Sequence, residues 1–458
     1  MTPLLSALAR STPFSVRLTG PALLLAGALL LNGCSRDADP DQPAPAAPAT
    51  ATYSADVATK WADLELRLIK TGTGFTPPVA SRALGYTGVA LYEAVVPGMA
   101  TYQSLAGQLT GLGTLPRPEA GQGYNWAVAA NAAEALIIKR LFGNAAAAQR
   151  ATIDSLETAL NQPYRTATEF ARSVSYGQQV AQAVFDWSRT DGGHEGYLTN
   201  QPASYMPPVG VGLWVPTTAG AAGRAVQPYW GQNRQFVPAN AALPMPGLAY
   251  AYSAQPGSAY YAQVQEVYAT SRGLTPAQRT IAAYWADGGQ SISPPGHSVS
   301  IAGIVLRDRN ASLAAAAEAY ARVGLAVSDA FVGCWKCKYQ YSWQRPITAV
   351  QTMLDPTWQP LLPTPPFPEF VSGHSAQSGA AAQVLSDLFG AQTTFVDNTH
   401  QARGPGYEPR PFASFAAFAD EAAVSRLYGG IHFRSANEVG LAEGQKVGRN
   451  VSALRFRK

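Results

Sequence analysis

Charge is scarce in this chain. Asp, Glu, Lys and Arg together make up 14% of its 458 residues, while hydrophobic residues reach 47%. So little charge beside so much apolar surface excludes a largely disordered chain, and the length allows one large domain or two ordinary ones with a real core. Neither sign dominates: 33 basic and 29 acidic residues give a formal charge of +4. Arg10 and Arg17 lie in a segment expected to be removed, which leaves about +2. A balance so near neutral carries no electrostatic footprint for nucleic acid, so basic residues should matter locally. Alternating runs of valine and isoleucine, which half-buried strands need, are also lacking. Alanine-rich stretches such as residues 312–319 favour helix instead, because alanine loses no side-chain entropy there. The fold class read from this is all-α, as two packed helical bundles.

The amino-terminal pattern is that of an export signal. Arg10 and Arg17 precede an apolar run over residues 21–30, too short to span a bilayer comfortably, and Leu31-Asn32-Gly33-Cys34 follows. A cysteine after Leu-x-Gly has the form of a bacterial lipoprotein signal, with Cys34 as the lipidated residue. Residues 1–33 then form the signal peptide, and 34–52, rich in Pro, Ala and Asp, a flexible tether. The expected product is exported and lipid-anchored, at the outer membrane or the periplasmic face.

Residues 53–190 read as a first helical bundle, with helices over 56–69, 80–96, 124–141 and 166–187. Residues 191–257, rich in Pro, Gly and aromatics, read as a long connecting loop. Residues 258–458 read as a second, catalytic bundle, with helices over 311–342, 371–388, 412–428 and 435–451. Thr275-Pro276 is a start signal, and Ser435-Ala436-Asn437-Glu438 has the form of a capping box.

Three pieces of this second bundle carry chemistry. Lys338 is followed seven residues later by Arg345-Pro346, a spacing near two helical turns that puts both cations toward one face. Ser372-Gly373-His374 opens a helix, whose free N–H groups and partial positive charge hold oxyanions. Arg426 and His432 flank a Gly429-Gly430 connection. Two guanidinium forks and an ammonium suit a tetrahedral or trigonal oxyanion. The two histidines, out of only five in the chain, add a group to bond the central atom and a group to exchange protons.

Lys-x6-Arg-Pro, then Ser-Gly-His, then Ser-Arg-x5-His resembles the signature shared by vanadium-dependent haloperoxidases and type-2 phosphatidic acid phosphatases. The resemblance implies a vanadium chloroperoxidase-like fold. It implies vanadate as cofactor, with His432 bonding the metal, His374 as acid–base group beside the apical oxygen, and Lys338, Arg345, Arg426, Ser372 and the Gly373 N–H around the equatorial oxygens. Hydrogen peroxide and halide would be the substrates, and Lys338 would polarise the peroxide. The alternative within the resemblance is an acid phosphatase with phosphate in the same site, where His432 is the nucleophile toward a phosphomonoester. Trp335 and Phe367 are similar to the aromatic walls of a halide pocket, and Asp287 resembles the acid that pairs with the second arginine. The length of the chain and the aromatic walls favour the haloperoxidase.

Two positions depart from the pattern. Val371 stands where the proline before the serine is usual, and Ala436 where an aspartate often holds the histidine; Glu438 or Asp420 is a candidate replacement. His297, in Pro-Pro-Gly-His, reads as a decoy, and His194 and His400 as surface-loop residues. Cys334 and Cys337 lie mid-helix and read as packed thiols or a small local disulfide without catalytic role.

Overall fold

The structure, a computed structural model, describes residues 48–288 and 291–458. The signal, Cys34 and most of the expected tether lie outside the described residues. The tether's last residues do not: Thr50 is buried, and its hydroxyl donates to the Val95 carbonyl at 2.8 Å. Packed structure therefore begins ahead of residue 53.

Five helices come first: α1 (Asp56–Thr71), α2 (Pro77–Val95), α3 (Trp126–Leu141), α4 (Ala147–Asn161) and α5 (Phe170–Ser188). The helix α4 was not foreseen, because it buries only Ile153 fully and so carries almost no apolar stripe. A long segment with short 3₁₀ turns and the four-residue α6 (Pro238–Ala241) follows. It is pinned by one buried carboxylate: Asp329 accepts from Phe236 N (2.6 Å), Val237 N (3.0 Å) and Asn240 Nδ2 (2.8 Å). Then come α7 (Ala259–Arg272), α8 (Pro276–Tyr284), α9 (Pro294–Asp308), α10 (Leu313–Tyr341), α11 (Pro346–Met353), α12 (Gly373–Phe389), α13 (Phe415–Tyr428) and α14 (Arg434–Ser452). Thr275 caps α8, as its sequence predicts, and Gln278 completes a capping box with it. The box read at Ser435 does not form: Phe433 is the N-cap of α14, and Ser435 lies inside the helix. Two three-residue strands, β1 (Phe395–Asp397) and β2 (Arg410–Phe412), pair antiparallel between α12 and α13. They are too short to show alternation.

The two bundles meet along α2 and α10 at backbone distance. A Cβ on Gly88 would stand 2.6 Å from the Tyr320 carbonyl oxygen, and one on Gly324 2.4 Å from that of Leu84. The pairing α12–α14 is as close. Gly440, Gly444 and Gly448 recur every fourth residue on one face of α14, and a Cβ on Gly444 would lie 2.0 Å from the Ala376 carbonyl oxygen. This contact fixes where α12 begins, and with it the Ser-Gly-His turn.

Candidate active site

The site is assembled around an extended strap, residues 363–371, that runs across the end of α10. Lys338, on the last turn of α10, is fully buried and donates to the carbonyls of Pro368 (3.0 Å), Glu369 (2.9 Å) and Val371 (2.6 Å). All three ammonium protons are thus spent on the strap. Beyond it the helix ends, with Ser342 in the left-handed region (φ 45°). Lys338 and Arg345 therefore do not share one helix face, contrary to the spacing argument. Arg345 is the N-cap of α11, and Pro346 starts that helix rather than kinking α10. The two cations meet through the strap instead, because Arg345 Nε donates to the Phe367 carbonyl at 2.8 Å.

Ser372 caps α12 through its hydroxyl, which accepts from Ser375 N, and its own N–H donates to the Ala436 carbonyl at 3.1 Å. Gly373 and His374 occupy the first turn, where amides have no intrahelical partner. Ala436 is wholly buried on α14, beside the start of α12.

The acid that holds His432 comes from the strap. Glu369 Oε1 accepts from His432 Nδ1 at 2.8 Å and from Phe433 N at 3.0 Å. Neither Glu438 nor Asp420 does this. The other imidazole nitrogen, Nε2, lies 3.0 Å from Arg345 Nη1. A guanidinium only donates, so Nε2 must present its lone pair and Nδ1 must carry the proton. That is the tautomer a metal ligand or a nucleophile needs. Burial lowers the His432 pKa well below the usual range, and the charges of Arg345, Lys338, Arg426 and His374 add to this. Burial pushes Glu369 up to about 7, against the pull of Lys338 and Arg345. A signal for Glu369 existed in the sequence: it is the lone acid between Asp355 and Asp387.

Asp287 does not pair with Arg426 by hydrogen bond. Arg426 Nη1 donates to the Trp285 carbonyl at 2.7 Å, while Asp287 receives two histidines: His297 Nδ1 at 3.0 Å and His400 Nε2 at 2.9 Å. Asp397 takes the other side of His297, Nε2 to Oδ2, at 2.7 Å. With both nitrogens donating to carboxylates, His297 is an imidazolium. Burial alone would lower its pKa, but Asp287 and Asp397 outweigh burial and raise it to about 10. Its ring stacks on Trp285 at 4.5 Å and 22°. His297 is thus a buried structural ion outside the cation cluster, and it lies in the first turns of α9, not in a loop. His400 is likewise buried, not a surface residue. Their signal was spatial: β1 and the segment after it carry Asp397 and His400 from about a hundred residues away.

Lys338, Arg345 and Arg426 bring three buried cations together, and Asp287 is already committed to His297. The Glu369 carboxylate bonds to His432 and the Phe433 N–H, not to any of the three. Burial lowers Lys338 to about 8 and both arginines to about 10. Burial, then the field of Arg426, also keeps His374 neutral, well below its usual range. Three buried polar atoms here lack a partner among the described residues: Arg345 Nη2, Arg426 Nε and His374 Nε2. Uncompensated cations and orphan nitrogens are costly in a dry interior, and an oxyanion such as vanadate would satisfy both. The residues therefore fit the expected group. A cavity of about 540 Å³ opens onto Gly373, His374, Arg426 and His432, walled by Trp335 and Phe367, whose rings lie 5.0 Å apart. Lys338, Arg345 and Ser372 sit one layer behind this lining. Cys334 and Cys337 are free and buried, with Cys334 Sγ donating to the Val371 carbonyl at 3.5 Å.

The chain is similar to known proteins over most of its length. Residues 318–457 match the VCPO second helical-bundle domain family. A bacterial vanadium-dependent iodoperoxidase is 35% identical with a TM-score of 0.79, over 87% of this chain and 96% of that one. Holo and apo forms of a bacterial vanadium-dependent chloroperoxidase, each 18% identical with a TM-score of 0.64, share the fold. They cover 84% and 83% of this chain and 93% and 94% of theirs. No curated protein matches the chain. An oxyanion cradle around a histidine of fixed tautomer, in a helical frame shared nearly end to end with a 35%-identical relative, leads to one conclusion: the chain belongs to the vanadium-dependent haloperoxidases.

Proposed function

We propose that this protein oxidises halide with hydrogen peroxide at a vanadate bonded by His432 Nε2, with iodide the first halide to test. The observation that carries this is the uncompensated positive charge facing a histidine nitrogen whose lone pair is fixed by Glu369. Arg345 and Arg426, through their unpartnered Nη2 and Nε, with Ser372 and the Gly373 N–H, are the groups that would hold the oxyanion's oxygens, while Lys338, its protons on the strap, adds its charge from behind. Bound vanadate supplies a Lewis acid that activates peroxide without changing oxidation state. The chain does the rest. Glu369 orients His432, and His374, neutral and unpartnered at Nε2, accepts and returns a proton there. Trp335 and Phe367 keep bulk water from the halide side, which strengthens every charge interaction inside.

A paired assay on one purified sample, with and without vanadate, tests this reading. Peroxide-dependent formation of triiodide should require vanadate and disappear in His432→Ala. Turnover of a phosphomonoester that vanadate inhibits, with no oxidation of iodide or bromide, would make the protein a phosphatase instead. Export and lipid attachment at Cys34 are proposed on the sequence pattern of residues 1–34. Fatty-acid labelling of the protein in a bacterial host should vanish in Cys34→Ser; labelling that persists removes the proposal.

A further inference from the structure

The cavity over the oxyanion cradle is far larger than its small reactants require. Peroxide and a halide ion each occupy about one or two water-sized volumes, whereas about 540 Å³ lies within the range of pockets that enclose whole organic ligands. The cradle residues line only its inner end. Its outer part is walled by Ile69, Phe75 and Pro77 from the first bundle and by Val226, Leu362 and the strap prolines from the rest.

These walls are built rather than loosely folded over. Phe75 is stacked on Phe142 at 4.2 Å and on Tyr197 at 5.6 Å, so its ring plane is fixed. The carbonyl of Val226 accepts from Trp335 Nε1 (3.2 Å) and Tyr339 Oη (2.6 Å), while its N–H donates to the Pro366 carbonyl (3.0 Å). Leu362 is tied to Gly429 by a 3.0 Å backbone bond. An apolar chamber with fixed walls favours a flat apolar guest, because little order is lost on binding. Besides Asp287 and Arg426 at the cradle, the ionised side chain among the described lining residues is Lys70, exposed at the end of α1. A guest with a negative group at the far end from its reactive carbon would meet that amine.

Resting on the haloperoxidase reading, we propose that this outer chamber binds an electron-rich aromatic acid of the phenol class. The oxidised halogen is transferred to it inside the cavity. The balance is simple. A π pair of the ring carbon forms the carbon–halogen bond as the halogen–oxygen bond of hypohalous acid breaks. The proton leaving that carbon joins the departing hydroxide as water. The ring carbon is oxidised, and the halogen is reduced from +1 to −1.

The test uses the vanadate-loaded full chain and a matched pair of phenols, 4-hydroxyphenylacetate and tyramine, which differ in the sign of the charge at the tail. With both present, the ratio of iodinated products should favour the acid by about fivefold over the ratio that hypoiodous acid gives free in solution. Lys70→Glu should erase that preference, and Leu362→Trp, which fills the chamber, should return the ratio to the free value. Calorimetry without peroxide should show saturable, single-site binding of 4-hydroxyphenylacetate that weakens in both variants. A product ratio equal to the free value in the unaltered protein, or no saturable binding, overturns the proposal. Triiodide formation in the same samples is read separately. Its absence would overturn the haloperoxidase reading and the transfer step, while the binding measurement still judges the chamber.

Discussion

At the scale of single residues, the acid that serves His432 has moved from the helix after the histidine to the strap before the serine. Glu369→Gln keeps the shape and an acceptor for His432 Nδ1–H and Phe433 N but removes the charge. Vanadate affinity by calorimetry should fall about 10- to 100-fold, as for other groups that orient a metal-bound histidine, with thermal stability little changed. Unchanged affinity would reduce Glu369 to a packing residue. His297 makes a second residue-scale case. Its pKa rises from 6.5 to about 10 because Asp287 and Asp397 hold its charge, and Asp397 in turn falls to about 2 against the effect of burial. The sign follows directly. The histidine's contribution to stability is full below pH 6.5 and fades as pH rises toward 10. That of Asp397 is present above its ordinary 3.8 and is lost as pH falls through about 2. Among five histidines, one should remain protonated past pH 8 in a spectrum of histidine-labelled protein, with melting temperature declining over the same alkaline range. All five titrating below pH 7.5 would contradict it.

At the scale of elements, the Ser-Gly-His turn is only as well placed as the α12–α14 contact. Gly444→Val puts a branched side chain against the Ala376 carbonyl, 2.0 Å from the first added carbon. The helices must separate, at a cost of about 1–3 kcal/mol for overpacking. Melting temperature and vanadate affinity should drop together; a fall in stability alone would mean that α12 keeps its start despite the insertion. The sequence made most of these helices legible, since α1, α2, α3, α5, α10, α12 and α13 carry clear punctuation or continuous apolar runs. It did not make α9 legible, because Pro294-Pro295-Gly296 looks like a loop although prolines suit a helix's first turn. Nor could spacing reveal that Lys338 and Arg345 belong to different helices, since Ser342 has no sequence feature that announces a left-handed residue.

At the scale of the molecule, the motif residues, far apart in sequence, converge on one buried cluster. Everything that tunes the site came from outside the motifs. Glu369 lies on the strap, Asp397 and His400 come from around β1, and the chamber walls draw on the first bundle through Ile69, Phe75 and Pro77. Such partners are set by tertiary packing between segments up to hundreds of residues apart, which local periodicity does not encode. The glycine contacts between α2 and α10 keep those distant walls in register with the cradle.

The two thiols behind the strap acquire a meaning from this placement. An enzyme that generates an electrophilic oxidant endangers its own soft nucleophiles, and the reactive form of cysteine is the thiolate. Burial pushes Cys334 up and Cys337 up to about 12, Cys334 donates to the Val371 carbonyl, and neither cysteine belongs to the chamber's lining. The thiols nearest the chemistry are thus kept protonated, the state least open to oxidation.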